Sequence, residues 1–119
     1  MVQTTLHGDR VPIVLDMDDY RQGHFSGASD SPMVETEHHK IELWTVLPEQ
    51  TIPVHVHGGS ECILIVISGL GRFELDNRAF DLKKGMVAIT PPGTDHSVHN
   101  PGPDPLTVVS ILGPVSSKR

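Results

Sequence analysis

The chain has 119 residues and a mass of 13.0 kDa, room for one core and one domain but not for a second. Fifteen acidic residues against nine basic ones give a formal charge of −6, which disfavours nucleic acid and anionic membrane as main partners. A single cysteine, Cys62, excludes an intramolecular disulfide and fits a reducing compartment. The opening residues Met1-Val2-Gln3-Thr4-Thr5-Leu6-His7 have neither a basic start nor an apolar core, and no apolar run reaches membrane-spanning length, so a cytoplasmic chain is expected.

Residues 1–39 read as an N-terminal strand and loop extension. Val11 to Leu15 is predicted as a short strand and Asp16 to Tyr20 as an acidic turn or short helix. Gln22 to Pro32, rich in Gly, Ser, Ala and Asp and carrying His24 and Phe25, is predicted as a loop. It is either a passive surface segment or a cover over the interior formed by the strands that follow. Residues 40–115 hold the main body. Lys40 to Leu47 alternates as a strand, Pro48 to Thr51 turns, and Ile52 to His57 returns. Cys62 to Ile67 is a continuous apolar run bounded by Gly58-Gly59 and Ser68-Gly69, which suits a strand buried on both faces. Arg72 to Leu75, a turn at Asp76-Asn77-Arg78, Ala79 to Leu82, a turn at Lys83-Lys84-Gly85, and Met86 to Thr90 follow as hairpins. Pro91-Pro92-Gly93 interrupts the ladder, and Leu106 to Leu112 gives the last strand. Short strands at this spacing predict an all-β sandwich or barrel. Trp44, Phe73 and Met33 are candidates to line its interior.

Two histidine-bearing segments carry the chemistry. His55 and His57 lie two apart on one strand, so both point to the same face, and His96 supplies a third imidazole from a distant strand. Neutral imidazoles are common ligands of Zn, Fe, Cu and Ni, and three of them leave coordination positions open. His99 lies an odd number of residues from His96 and is expected at the surface or an interface. His38 and His39 are neighbours and cannot share one site; His7 and His24 give no ligand spacing. Asp95 is placed to orient an imidazole through its second nitrogen, or else is solvated.

These segments resemble the two motifs of the cupin superfamily, over roughly residues 40–113. Gly85, Pro91, Gly93, His96 and Asn100 match every defined position of the second motif, Gly-x5-Pro-x-Gly-x2-His-x3-Asn. In the first, Gly-x5-His-x-His-x3 or 4-Glu-x6-Gly, His55, His57 and Gly69 fit, while Glu49 stands at the first glycine. The glutamate position is open between two residues: a three-residue spacing selects Glu61, and a four-residue spacing, which keeps the distance to Gly69, selects Cys62. The four-residue count is favoured, because a one-residue slip turns every side chain to the other face, although a bulge near Gly58-Gly59 would restore Glu61.

The resemblance implies a compact double-stranded β-helix, the jelly-roll β-barrel of cupins, without insertions. It implies one divalent transition metal per chain on His55, His57 and His96, with Cys62 or Glu61 as fourth ligand or pocket group. Fe(II) is favoured, with Zn, Mn or Ni as alternatives. The functional expectation is a three-histidine Fe(II) dioxygenase-type enzyme acting on a small organic substrate. A Zn-, Mn- or Ni-dependent isomerase, epimerase or lyase, and a non-catalytic small-molecule binding or sensing cupin, are the other readings. A thiol beside a cationic metal is expected to be activated. A homodimer is expected, since both faces of the Cys62 to Ile67 strand need cover.

Overall fold

Alternation along the apolar run at residues 62–67 sets the architecture. The computed structural model describes the backbone of residues 4–5 and residues 12–54 and 59–114. In it the run forms a strand at Glu61–Ser68, with Cys62, Leu64 and Val66 buried on one face and Ile63, Ile65 and Ile67 on the other. Ten strands occur among the described residues: β1 Thr4–Thr5, β2 Ser29–Glu35, β3 Lys40–Val46, β4 Thr51–Val54, β5 Glu61–Ser68, β6 Leu70–Leu75, β7 Arg78–Lys83, β8 Val87–Thr90, β9 His96–His99 and β10 Leu106–Gly113. A 3-10 turn, Met17–Tyr20, precedes β2, with Asp16 capping it by accepting from the Asp18 amide.

The strands make two sheets, a six-stranded one in the order β1-β2-β3-β10-β5-β8 and a four-stranded one in the order β4-β9-β6-β7. All pairings are antiparallel except β1 with β2. Between the sheets lies the main core, with Val46, Ile52, Cys62, Leu64, Val66, Phe73, Leu82, Val98, Leu106 and Val108 buried. The outer face of the larger sheet carries a second cluster of Met33, Leu43 and Val109 with Ile41, Ile65, Ile67 and Ile111, over which Leu15 and Tyr20 fold. The N-terminal segment thus covers part of the second face that the apolar run requires.

Two predictions for the extension need correcting. Residues 12–15 form no strand; Val11 lies outside the described residues. The predicted loop from Gln22 to Pro32 stops early, because Ser29 to Pro32 belong to β2 and pair with β3 in the register Asp30 to Trp44 and Pro32 to Glu42. The remaining loop ties to the far end of β3: Gln22 N donates to Thr45 Oγ1, and Gln50 Nε2 donates to the His24 carbonyl.

Asn100 ends β9 and holds three segments together. It is fully buried; its Nδ2 donates to the Val46 and Asp104 carbonyls, both at 2.8 Å, and its Oδ1 accepts from Gly102 N at 2.7 Å. The Asn100 carbonyl also accepts from Glu49 N. Glu49 stands where the first motif writes glycine, and its φ of 72° keeps the left-handed turn that glycine would adopt more readily. Asn100→Ala orphans buried backbone groups and should lower unfolding free energy by about 2–4 kcal/mol. Asn100→Asp should be no milder, since a carboxylate cannot donate to either carbonyl. Urea denaturation checks both, and a loss below about 0.5 kcal/mol, the range of neutral surface changes, would contradict this role.

Candidate metal centre and its cavity

His96 opens β9 and pairs with Val54 of β4, so its ring shares the inward face with Val54 and Val98. It is 6 % exposed, and its ring centroid lies 5.6 Å from that of Phe73. Nδ1 lies 3.4 Å from the Thr94 carbonyl oxygen. A carbonyl only accepts, so this contact puts the ring proton on Nδ1 and leaves a lone pair on Nε2. Nε2 is buried with no hydrogen-bond partner among the described residues. Burial pulls the His96 pKa below its ordinary value, against the opposing effects of the Thr94 carbonyl and Asp95, which favours the neutral form a metal ligand needs. The backbone of Thr94 therefore fixes the tautomer that the sequence had offered to Asp95.

His55 and His57 lie outside the described residues. Among the described residues no three His, Cys, Asp or Glu side chains converge in a metal-holding group. His99 behaves as its parity predicts: it turns away from His96, with Nδ1 2.8 Å from Thr51 Oγ1 and Nε2 3.4 Å from Glu49 Oε1. His24, His38 and His39 are exposed.

At the motif's glutamate position, β5 turns Cys62 inward, 2 % exposed, and Glu61 outward to solvent. Cys62 pairs with Leu112 of β10 and Thr90 of β8. It lines a cavity of about 210 Å³ bounded by Glu42, Trp44, Ile52, Pro53, Val54, Leu64, Ser110 and Leu112. Burial, and secondarily the Glu42 charge, push its thiol up to about 11. The protein's own surroundings thus oppose the activation expected beside a metal.

The other polar groups of this wall escaped the sequence reading. Glu42, two residues before Trp44 on β3, shares its inward parity, and Lys40 Nζ lies 3.4 Å from Glu42 Oε2. Asp30 of β2 reaches the same carboxylate. Although Asp30 is exposed as a residue, its carboxyl is desolvated against Glu42 and hydrogen-bonded to it, which pushes its pKa up to about 7. Of the predicted lining residues, Trp44 faces the cavity and Phe73 packs on His96, but Met33 belongs to the outer cluster.

A double-stranded β-helix with an inward histidine and a mixed apolar and polar cavity defines a class of small-molecule-binding barrels. The chain belongs to the Cupin_2 family, the cupin domain, which matches residues 42–112. Cupin domains often bind a metal. A conserved double-stranded β-helix protein of Klebsiella pneumoniae is 29 % identical, with a TM-score of 0.83 over 91 % of this chain and 95 % of that one. The TT1209 protein of Thermus thermophilus is 25 % identical, with a TM-score of 0.79 over 85 % and 96 %. The uncharacterized protein MJ1618 of Methanocaldococcus jannaschii is 38 % identical over 74 residues, 57 % of this chain, so the match spans 59 % of that relative's length. No helix among the described residues is long and apolar enough to cross a membrane.

Burial and the raised pKa both slow the thiol. Iodoacetamide should label Cys62 in the chelator-treated protein at pH 8 on the order of a hundredfold more slowly than in the urea-unfolded chain. Mass spectrometry of the labelled peptide checks this, and equal rates would mean that Cys62 is not an interior residue.

Proposed function

We propose that this cupin holds one divalent transition metal on His55, His57 and His96 and acts on a small organic substrate as an Fe(II) dioxygenase-type enzyme. The observation that carries the reading is the orphaned Nε2 of His96: a buried imidazole nitrogen with a free lone pair, its tautomer fixed by the Thr94 carbonyl. The family resemblance supplies the other two ligands, and the donor set suits iron, zinc, manganese or nickel. A bound metal would supply a Lewis acid and, as Fe(II), a redox centre for dioxygen. The chain's own groups prepare the place. Thr94 holds the His96 ring, Phe73 shields it from water, and Cys62 presents an interior wall where many cupins carry a glutamate. Three neutral ligands leave the metal's charge uncompensated, which favours a substrate that binds it through anionic or bidentate oxygen or sulfur atoms.

His96→Ala and His57→Ala should each remove most bound metal, whereas His99→Ala should retain it, because His99 bonds Thr51 and Glu49 away from the interior. Elemental analysis of the purified variants tests this, and equal retention in all three would overturn the ligand set. Oxygen consumption by the Fe(II)-loaded protein across diketones, thiols and hydroxy acids tests the reaction class. Turnover with Zn or Mn but not iron would favour the isomerase, epimerase or lyase reading, and thermal stabilisation by a ligand without product would favour a binding or sensing role.

We further propose a homodimer. Val87 and Ile89 on the edge strand β8 are 53 % and 61 % exposed on the outer face of the larger sheet, beyond the reach of the Leu15 and Tyr20 cover. Light scattering at micromolar concentration should give twice the chain mass; a monomer would refute the assembly.

A further inference from the structure

The space between the sheets opens at one pair of edges. The turn at Lys83-Lys84-Gly85 closes no hairpin: β7 pairs with β6 and β8 with β5, so the two strands become the edges of different sheets. Between them lies a slot of about 570 Å³, within the range of about 300–1,000 Å³ usual for small-molecule sites. Its inner wall is aromatic. Phe73 and Phe80 are partners in the β6 and β7 register and share the inward face with Leu82. Phe73 and Leu82 are each 5 % exposed, as inward residues should be, but Phe80 is 47 % exposed. Across the slot, β8 presents only Ala88 inward, while Val87 and Ile89 turn to the outer face and form the rim. Protein interiors are filled to the density of organic crystals, so an inward aromatic ring left half uncovered marks space that the chain does not fill itself. Of the lining residues only Asp81 is charged, and it turns outward, 4.0 Å from Arg72 Nη1.

The slot leads toward the histidine. Ring centroids are 6.2 Å apart from Phe80 to Phe73 and 5.6 Å apart from Phe73 to His96, so three rings descend along one face from half-exposed to buried. At the buried end stands Nε2 of His96, without a hydrogen-bond partner among the described residues. One end of this row is open and apolar, and the other holds a free lone pair. That division suits a ligand with two unlike ends.

We infer that the slot between β7 and β8 holds an aromatic ring of the substrate against Phe80 and Phe73, with the polar head of the same molecule directed toward His96. Offset or edge-on contacts with the two phenyl rings, and the Met86 thioether on the slot's flank, favour an arene over a saturated ring of similar size. The substrate class is therefore an aryl-bearing small molecule with a chelating head, and not a short polar acid. The position of the head rests on the proposed metal centre. The ring subsite does not, because Phe73, Phe80, Met86 and Ala88 form it. A second copy of the chain is the competing occupant, since Val87 and Ile89 also underlie the proposed homodimer.

Methyl NMR reads the slot directly. Of the four methionines, Met86 lines the slot, whereas Met33 lies in the cluster on the outer face of the larger sheet and serves as the control. The chelator-treated protein, carrying carbon-13 methyl methionine, is titrated with benzyl alcohol, cyclohexylmethanol and ethylene glycol at two protein concentrations about tenfold apart. Expected is a saturable shift of the Met86 methyl with benzyl alcohol, tighter by about two- to tenfold than with cyclohexylmethanol, no saturable shift with ethylene glycol, and an unmoved Met33 methyl. Phe80→Ser removes one wall and Ala88→Phe fills the space; each should weaken benzyl alcohol binding by at least about fivefold, with the Met33 methyl at its wild-type position as the check on folding. In zinc-loaded protein, benzohydroxamate should bind at least about tenfold tighter than acetohydroxamate, the gain for burying a phenyl ring, and Phe80→Ser should erase that difference. No saturable Met86 shift in the wild-type protein, equal binding of cyclohexylmethanol, or an affinity that falls as protein concentration rises, the mark of a second copy in the slot, would each overturn the inference. Failure of both hydroxamates to bind would count against the metal centre, while the metal-free titration still decides the ring subsite.

Discussion

Strands β3, β10 and β5 are shielded on both faces over most of their length, and the rest of the molecule follows from that arrangement. Each strand must supply an inward set for the space between the sheets and an outward set for a second cluster, so register becomes unforgiving: a slip of one residue would exchange the two sets. The inward set is not uniform. Toward Val46 and Leu106 it is wholly apolar and closed, while toward Lys40 and Leu112 it admits Glu42, Ser110 and Cys62 and leaves a cavity. The barrel therefore has a packed apolar end and a hollow end lined in part by polar groups.

The hollow end is electrostatically divided. On the β9 side a neutral imidazole sits among hydrocarbon, its single bond to a backbone carbonyl leaving one nitrogen unsatisfied. On the β2 and β3 side, desolvation and then the neighbouring Glu42 push the Asp30 carboxyl up to about 7. Cys62 lies in the same cavity as Glu42 and is kept protonated by burial and by that neighbour's charge. His96 and Cys62 sit where little solvent screens them, whereas Asp30 is exposed.

Much of this was legible in the residues. The apolar run at 62–67, the hairpin of β6 and β7 and the last strand were readable because alternation and turn residues agree there, and the spacing around Gly85, Pro91, Gly93, His96 and Asn100 was specific enough to imply the fold; the second predicted hairpin, Ala79 to Leu82 with Met86 to Thr90, is not one, because β8 leaves β7 to pair with β5 in the other sheet. The preferred count from His57 gave Cys62, and the pleat of β5 does turn Cys62 inward and Glu61 out. Strand β2 was not legible: Ser29-Asp30-Ser31-Pro32 has the composition of a loop and becomes strand only because β3 offers it backbone partners. For the same reason the meeting of Asp30 with Glu42 could not be read from the chain, since it depends on a pairing between two strands. Glu42 itself was within reach, because its parity with Trp44 put it on the same face.

Asp30 also bears on how such a barrel diversifies. The cupin match begins at residue 42, so this carboxyl group lies in the extension and not in the segments that resemble the metal-binding motifs. Substitutions in β2 can alter the charge beside Glu42, which lines the cavity, while the histidine-bearing segments stay untouched. The charge beside Glu42 and the residues of the two motifs thus lie on separate stretches of the chain, and one can change without the other.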